Sequence, residues 1–199
     1  MRKVVFDVDD TAWGLNDRVC RLLNIDINNI LDFYIKNNDT LSESQKKALI
    51  EKYSEYKVFE NIEWYDGFIN IFDLEKFNCN VFINSNCNTP EVKNTKVVEL
   101  VDKLHFPSDR ILLNIISDPK NKQLEDDIYI LVDDSPFNIA KSGAMYNIAL
   151  RKPWNTSEAG IKTIGSKKVI YCNTFIEILE VIEKLLCEAD RYEKYKNSN

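Results

Sequence analysis

What most constrains this chain is a recurrence of short apolar runs that do not alternate. They lie at Val4–Val8, Asn80–Asn84, Ile111–Ile115, Ile128–Val132, Ile148–Leu150 and Val169–Cys172. Alternation marks a strand with one wet face, and its absence marks strands covered on both faces. Parallel strands are of that kind, and each needs a long crossover to reach the next. Helical patterns stand between the runs. Val97, Val98, Val101 and Leu104 recur at a helical period. Thr174 with Glu177 makes a capping box, and Ile178, Val181, Ile182 and Leu185 follow as the buried stripe of a long last helix. From Glu188 onward the tail turns polar and is expected to fray. The reading is an α/β fold, an open, mostly parallel, Rossmann-like sheet flanked by helices.

Residues 14–65 interrupt the alternation, because they contain no convincing strand. Val19, Leu22 and Leu23 fit one helix, and Ile27, Ile30, Leu31 and Tyr34 a second. Thr40 with Glu43 offers a cap for a third, which carries Ala48, Leu49 and Tyr53. The expected organisation is an α/β core from residues 1–13 and 66–199, with a helical cap at 14–65 inserted after the first strand. A length of 199 residues suits one domain with such an insertion.

Composition excludes several function classes. The net charge of −6 and the absence of a long Lys/Arg run disfavour a nucleic-acid polymer as partner. The five cysteines form no CxxC pair, which fits reduced thiols and a cytoplasmic setting. A single histidine, His105, argues against a His-rich zinc site or a Ser–His–Asp triad. No apolar run reaches the roughly 20 residues of a membrane span, and the N-terminus is charged too soon for a signal peptide.

In open α/β sheets, ligands sit beyond the carboxyl ends of the strands. Here the first strand ends in Asp7, Asp9, Asp10 and Thr11, and "NVFINSNCN" delivers Ser85 and Asn86. "SDPKNK" carries Lys120 and Lys122, and "IYILVDDSPFN" ends in Asp133 and Asp134. Each segment has an ordinary explanation. Asp, Ser and Asn form turns after strands, Asp134 suits a helix N-terminus before Pro136, and a lysine is usually a surface charge. Cys87 and His105 read as packing or surface residues. The cluster Trp64, Tyr65, Tyr53, Tyr56 and Phe59 reads as core or as a substrate platform. Together and in this order, the four segments outweigh those explanations.

The set resembles the haloacid dehalogenase (HAD) superfamily, largely phosphatases. That family's strands end in DxDx[TV], in Ser or Thr, and in paired acids, with a lysine before the last. Asp7–Val8–Asp9–Asp10–Thr11, Ser85, Lys122 or Lys120, and Asp133–Asp134 match over a core of about residues 2–172. Lys122 lies nearer the family spacing. The resemblance implies Mg²⁺ held by Asp7, the Asp9 carbonyl and Asp133, with Asp134 behind them or joined through water. All-oxygen ligands suit that ion. It also implies Asp7 as nucleophile, Asp9 as acid and base, Ser85 and Lys122 on the phosphoryl group, and Thr11 and Asn86 beside the substrate.

"VFENIEWYDGFINIFDLEKFNCNVFINSN" and "LVDDSPFNI" followed by "IALRKPWN" look like the 5'-nucleotidase and deoxyribonucleotidase branch. Asp10 departs from it, since many members carry Gly there. The branch implies a nucleoside monophosphate as substrate; Tyr34, Tyr53, Tyr56, Phe59, Trp64 and Tyr65 of the insertion and its return offer an aromatic wall for the base, with Trp64 and Tyr65 as the expected substrate contacts. A sugar phosphate or another small phosphorylated metabolite stands as the alternative. An inactive HAD scaffold with a binding or regulatory task is the alternative of another class. A homodimer remains open.

Overall fold

The computed structural model describes residues 1–116, 122, 124 and 127–197. Among them, six strands form one sheet: β1 (Arg2–Phe6), β2 (Cys79–Cys87), β3 (Ile111–Ile115), β4 (Ile128–Val132), β5 (Tyr146–Leu150) and β6 (Val169–Cys172). The order is β3-β2-β1-β4-β5-β6, and every pairing is parallel. Val4, Phe6, Ile130, Val132 and Ile148 face one core, while Val5, Leu131 and Ala149 face the other side. Both faces are therefore dry, which is why the strands do not alternate. From β1 the chain steps outward to β2 and β3, then returns to place β4 on the other side of β1. The crevice between β1 and β4 is the topological switch point.

The helices are α1 (Leu15–Leu23), α2 (Glu43–Lys52), α3 (Pro90–Val97), α4 (Pro136–Lys141), α5 (Pro153–Thr156), α6 (Glu158–Ile164) and α7 (Phe175–Asn197). Ile178, Ile182 and Leu186 of α7 are fully buried against the larger core. Arg2 ion-pairs with Asp190 and Glu193 and ties the start of β1 to α7. The helix runs to Asn197 instead of ending near Glu188. Glu177 N–H donates to Thr174 Oγ1 at 3.1 Å, but the Glu177 carboxylate caps Asn173 N–H at 2.7 Å.

Three expectations need correction. Ile27–Tyr34 is not a helix. Buried Asn38 replaces the helical ladder there: its Oδ1 accepts from Leu31 and Asp32 N–H at 2.6 and 2.8 Å, and its Nδ2 donates to the Asp32 carbonyl at 2.9 Å. Short 3₁₀ turns at Ile27–Asn29 and Ile35–Asn37 flank this loop. Helix α2 is capped by Ser42 with Gln45, while Thr40 bonds the Asn29 carbonyl instead. After β2, the buried face comprises Val92, Lys96, Glu99 and Leu100, and Val97 and Val98 are exposed. The return into the sheet passes through a 3₁₀ segment, Phe68–Phe77, entered at Gly67 with φ 89°. A side chain at Gly67 would meet Leu179 and Ile176 of α7 within 2.9 Å.

Candidate active site

Asp7 follows β1 and Asp133 follows β4, so adjacent strands deliver both to the switch point. Backbone bonds fix the exits: Asp7 N–H donates to Val132 at 2.8 Å and Asp133 N–H to Ile148 at 3.1 Å. Carboxylate oxygens of Asp7, Asp133 and Asp134 lie within 4.8 Å of one another, and all three residues are buried. Lys122 Nζ bridges the pair, 2.7 Å from Asp7 and 2.8 Å from Asp133. Asp133 also accepts from Ser135 N–H at 2.9 Å and from Asn138 Nδ2 at 3.0 Å. Ser135 and Pro136 open α4, so helix capping and carboxylate positioning use the same turn.

Asp134 turns toward α5. Trp154 Nε1 donates to its carboxylate at 2.8 Å, and Asn155 Nδ2 donates to its carbonyl at 3.2 Å. Asp10 has φ 57° and uses its carboxylate as an N-terminal cap for α1, accepting Asn16 N–H at 2.9 Å and Asn16 Nδ2 at 2.7 Å. Asp10 is thus held by structure rather than by the cluster.

Negative charge exceeds what the local lysines balance. Burial pushes Asp7 up to about 7 against the pull of Lys122, with Asp133 and Asp9 adding repulsion. Burial likewise takes Asp10 to about 7, opposed by Lys152 and Asn16. Asp134 is raised well above the carboxylate range by burial and then by Asp10, Asp7 and Asp133, against the Trp154 bond. Burial alone would lower the Lys122 ammonium, but Asp133 and Asp7 outweigh it and raise it. Three converging carboxylates with oxygen-only donors and a deficit of positive charge fit a hard divalent cation.

Asp9 points elsewhere. Trp13 Nε1 donates to its Oδ1 at 3.1 Å, and Lys96 Nζ donates to its Oδ2. Lys96 also reaches Ser85 Oγ at 3.0 Å and the Asn86 carbonyl at 2.7 Å. Ser85 is fully buried behind these bonds. Lys96 escaped the sequence reading because a helical lysine ordinarily reads as surface. The available signal was its four-residue spacing from Val92 and Leu100, which puts it on a buried face. Lys120 lies outside the described residues.

Asp7, Asp9, Asp133 and Asp134 line a cavity of about 500 Å³ that also takes in Asn86 and Asn138. Thr11 Oγ1, Asn86 Oδ1 and Asn138 Oδ1 are buried without a hydrogen-bond partner among the described residues. Such atoms need an explanation, and a ligand contact is one. Phe33, Tyr34, Tyr53 and Phe59 form the aromatic wall. Phe33 and Tyr34 pack on Phe137 of α4, with ring centroids 6.0 and 4.8 Å away. Trp64 and Tyr65 are placed outside this cavity. Trp64 stacks on Phe68 at 4.8 Å, and the Tyr65 hydroxyl accepts from Lys152 at 3.1 Å.

No family model matches the chain, and no curated protein sequence matches it. Solved structures do. A haloacid dehalogenase-like hydrolase, SP0104 from Streptococcus pneumoniae, is 14% identical with a TM-score of 0.55, covering 91% of this chain and 98% of its own. A family IA, variant 3 HAD hydrolase from Entamoeba histolytica is 20% identical with a TM-score of 0.50, covering 94% and 99%. A haloacid dehalogenase-like hydrolase from Xanthomonas campestris is 11% identical with a TM-score of 0.51, covering 94% and 98%. At these identities the likeness is one of fold, and the chain has the α/β fold of HAD hydrolases. None of the three is described as a nucleotidase. Among the described residues, no helix is long and apolar enough to cross a membrane.

Proposed function

We propose that this chain is a Mg²⁺-dependent phosphomonoesterase acting on a small phosphorylated metabolite. The observation that carries the reading is the convergence of Asp7, Asp133, Asp134 and Lys122 at the switch point, where the three carboxylates line one cavity. Asp7, Asp133 and the Asp9 carbonyl would hold the ion, with Asp134 behind them. When bound, Mg²⁺ neutralises the carboxylates and the phosphoryl oxygens.

A phosphate monoester is an anion and repels nucleophiles, so its charge must first be offset. Among the described residues, two of the three Lys122 N–H donors go to Asp7 and Asp133. The third is available to a phosphoryl oxygen. Asp7 then attacks phosphorus as the bond to the ester oxygen breaks, and Asp9 supplies the proton that oxygen needs. In the second step Asp9 takes a proton from water. The water oxygen attacks phosphorus, the Asp7–phosphorus bond breaks, and phosphate leaves.

Residues 14–65 act as a cap that roofs the site and shapes the leaving-group side. An aromatic wall of Phe33, Tyr34, Tyr53 and Phe59 supports a nucleoside monophosphate, since stacking on a base contributes about 1–3 kcal/mol. The test is hydrolysis of a panel of nucleoside monophosphates and sugar phosphates, with Mg²⁺ and with EDTA. Mg²⁺-dependent release of phosphate, fastest from a nucleotide, is expected. Release that is unchanged in EDTA overturns the metal reading. A sugar phosphate that outruns every nucleotide overturns the substrate reading, and no release from any ester leaves the inactive scaffold.

A further inference from the structure

We propose that Lys96 is a positioning residue, which locks the Asp9 carboxylate in register for proton transfer to the leaving oxygen. The inference rests on the phosphomonoesterase reading and adds a residue that the reading does not use.

Lys96 is fully buried in the last turn of α3. A buried ammonium is costly unless each of its three N–H donors finds an acceptor. Lys96 has three: Asp9 Oδ2, Ser85 Oγ and the Asn86 carbonyl. It also lies 5.2 Å from the centre of the Phe59 ring, on the cavity wall. Its donors are therefore used up, and it cannot bind a phosphoryl oxygen without giving up a partner. Lys122 differs, because among the described residues two acceptors hold it, which leaves a donor over. The two buried lysines thus divide the work: Lys122 faces the reacting group and Lys96 orders the residues around it.

The consequences follow atom by atom. Asp9 is gripped at both oxygens, Oδ1 by Trp13 Nε1 and Oδ2 by Lys96, so its carboxylate cannot rotate. A carboxylate that must meet a leaving oxygen gains from that fixity, since a displacement of about 1 Å can cost 10²-fold in rate. An ammonium has no acceptor, so Ser85 Oγ must accept from Lys96, and the hydroxyl proton is directed elsewhere. The bond to the Asn86 carbonyl pins the end of β2 to α3. Asn86 itself lines the cavity and carries one of the orphaned oxygens.

The test compares Lys96→Met and Lys96→Gln with Asp9→Asn and with the double variant Asp9→Asn/Lys96→Met. Each is assayed with p-nitrophenyl phosphate and with an alkyl phosphate, in Mg²⁺. Binding of inorganic phosphate to each protein is measured by calorimetry. For a positioning residue acting through Asp9, kcat for the alkyl ester falls about 10²-fold. The p-nitrophenyl ester, whose leaving group needs little protonation, falls far less, while KM and phosphate affinity hold. The double variant is no slower than Asp9→Asn, and Lys96→Gln, which keeps two of the three N–H donors, recovers part of the loss. The double variant also leaves no unpaired charge, so it folds if Lys96→Met does not; its rate alone then decides, and a rate well below Asp9→Asn overturns the proposal. Equal loss for both esters with weakened phosphate binding makes Lys96 a phosphate ligand and overturns it. Unchanged rates for both esters overturn it as well. A parent protein that hydrolyses neither ester removes the phosphomonoesterase reading itself.

Discussion

Asp7 has to satisfy two opposed demands. As the proposed nucleophile it must be ionised, yet burial pushes it up to about 7; Lys122 opposes that, as a bound cation would. Asp7→Asn keeps the shape and removes the charge, so the fold should survive while hydrolysis drops by 10³-fold or more, as loss of a nucleophile does in comparable enzymes. Steady-state rates beside a thermal melt check this, and a rate within twofold of the parent refutes the nucleophile assignment. Lys122 carries the opposite risk. Lys122→Met leaves Asp7 and Asp133 buried without their cation, and breaking a buried pair in that way costs about 3–5 kcal/mol. Urea unfolding in EDTA should show that loss, and saturating Mg²⁺ should recover part of it. Lys120→Ala should cost less activity than Lys122→Ala; the reverse ranking moves the role to Lys120.

At the scale of elements, the aromatic wall gives the sharper prediction. Tyr34→Ala or Tyr53→Ala should lower kcat/KM for the preferred nucleotide by about 10-fold or more, in line with stacking of 1–3 kcal/mol, and spare p-nitrophenyl phosphate. Trp64→Ala should instead lower the melting temperature and leave the substrate ranking intact, because Trp64 packs on Phe68. What was legible follows the same division. The strands were legible because burial on both faces leaves uninterrupted apolar runs, and β3, β4 and β6 match to the residue. Their carboxyl-end residues were legible because the fold brings such ends together. The insertion was harder. Ile27, Ile30, Leu31 and Tyr34 have helical spacing, but one buried Asn38 offers the backbone a better set of partners. Of the aromatics expected to form a wall, Tyr34, Tyr53 and Phe59 line the cavity and Phe33 joins them, while Trp64 and Tyr65 lie outside it. Lys96 was hidden because nothing in a helical lysine announces that its acceptors come from β2 and from the loop after β1.

Across the whole molecule, these carboxylates couple stability to pH. Asp7 and Asp10 ionise near 4 in the unfolded chain and at about 7 in the folded one. Between those values the folded chain holds protons that the unfolded chain has released. Stability therefore falls as pH rises through that window, by up to about 2.7 kcal/mol per pH unit if both groups titrate fully. Asp134, raised by burial and by its acidic neighbours, acts in the same direction. The apoprotein should accordingly melt at a higher temperature near pH 5 than near pH 8, the reverse of a protein whose carboxylates are mostly stabilised by ion pairs. A cation that binds these oxygens competes with the protons, and it binds the folded chain alone, so it adds stability where the protons have left. Melting curves in EDTA and in Mg²⁺, taken at both pH values, measure the two effects together. The expected pattern is a fall in melting temperature from pH 5 to pH 8 in EDTA, with Mg²⁺ restoring it at pH 8 and changing little at pH 5. A melting temperature in EDTA that rises with pH would mean that Lys122, Lys152 and Lys96 already balance the acidic cluster, and that no cation is needed to hold it together.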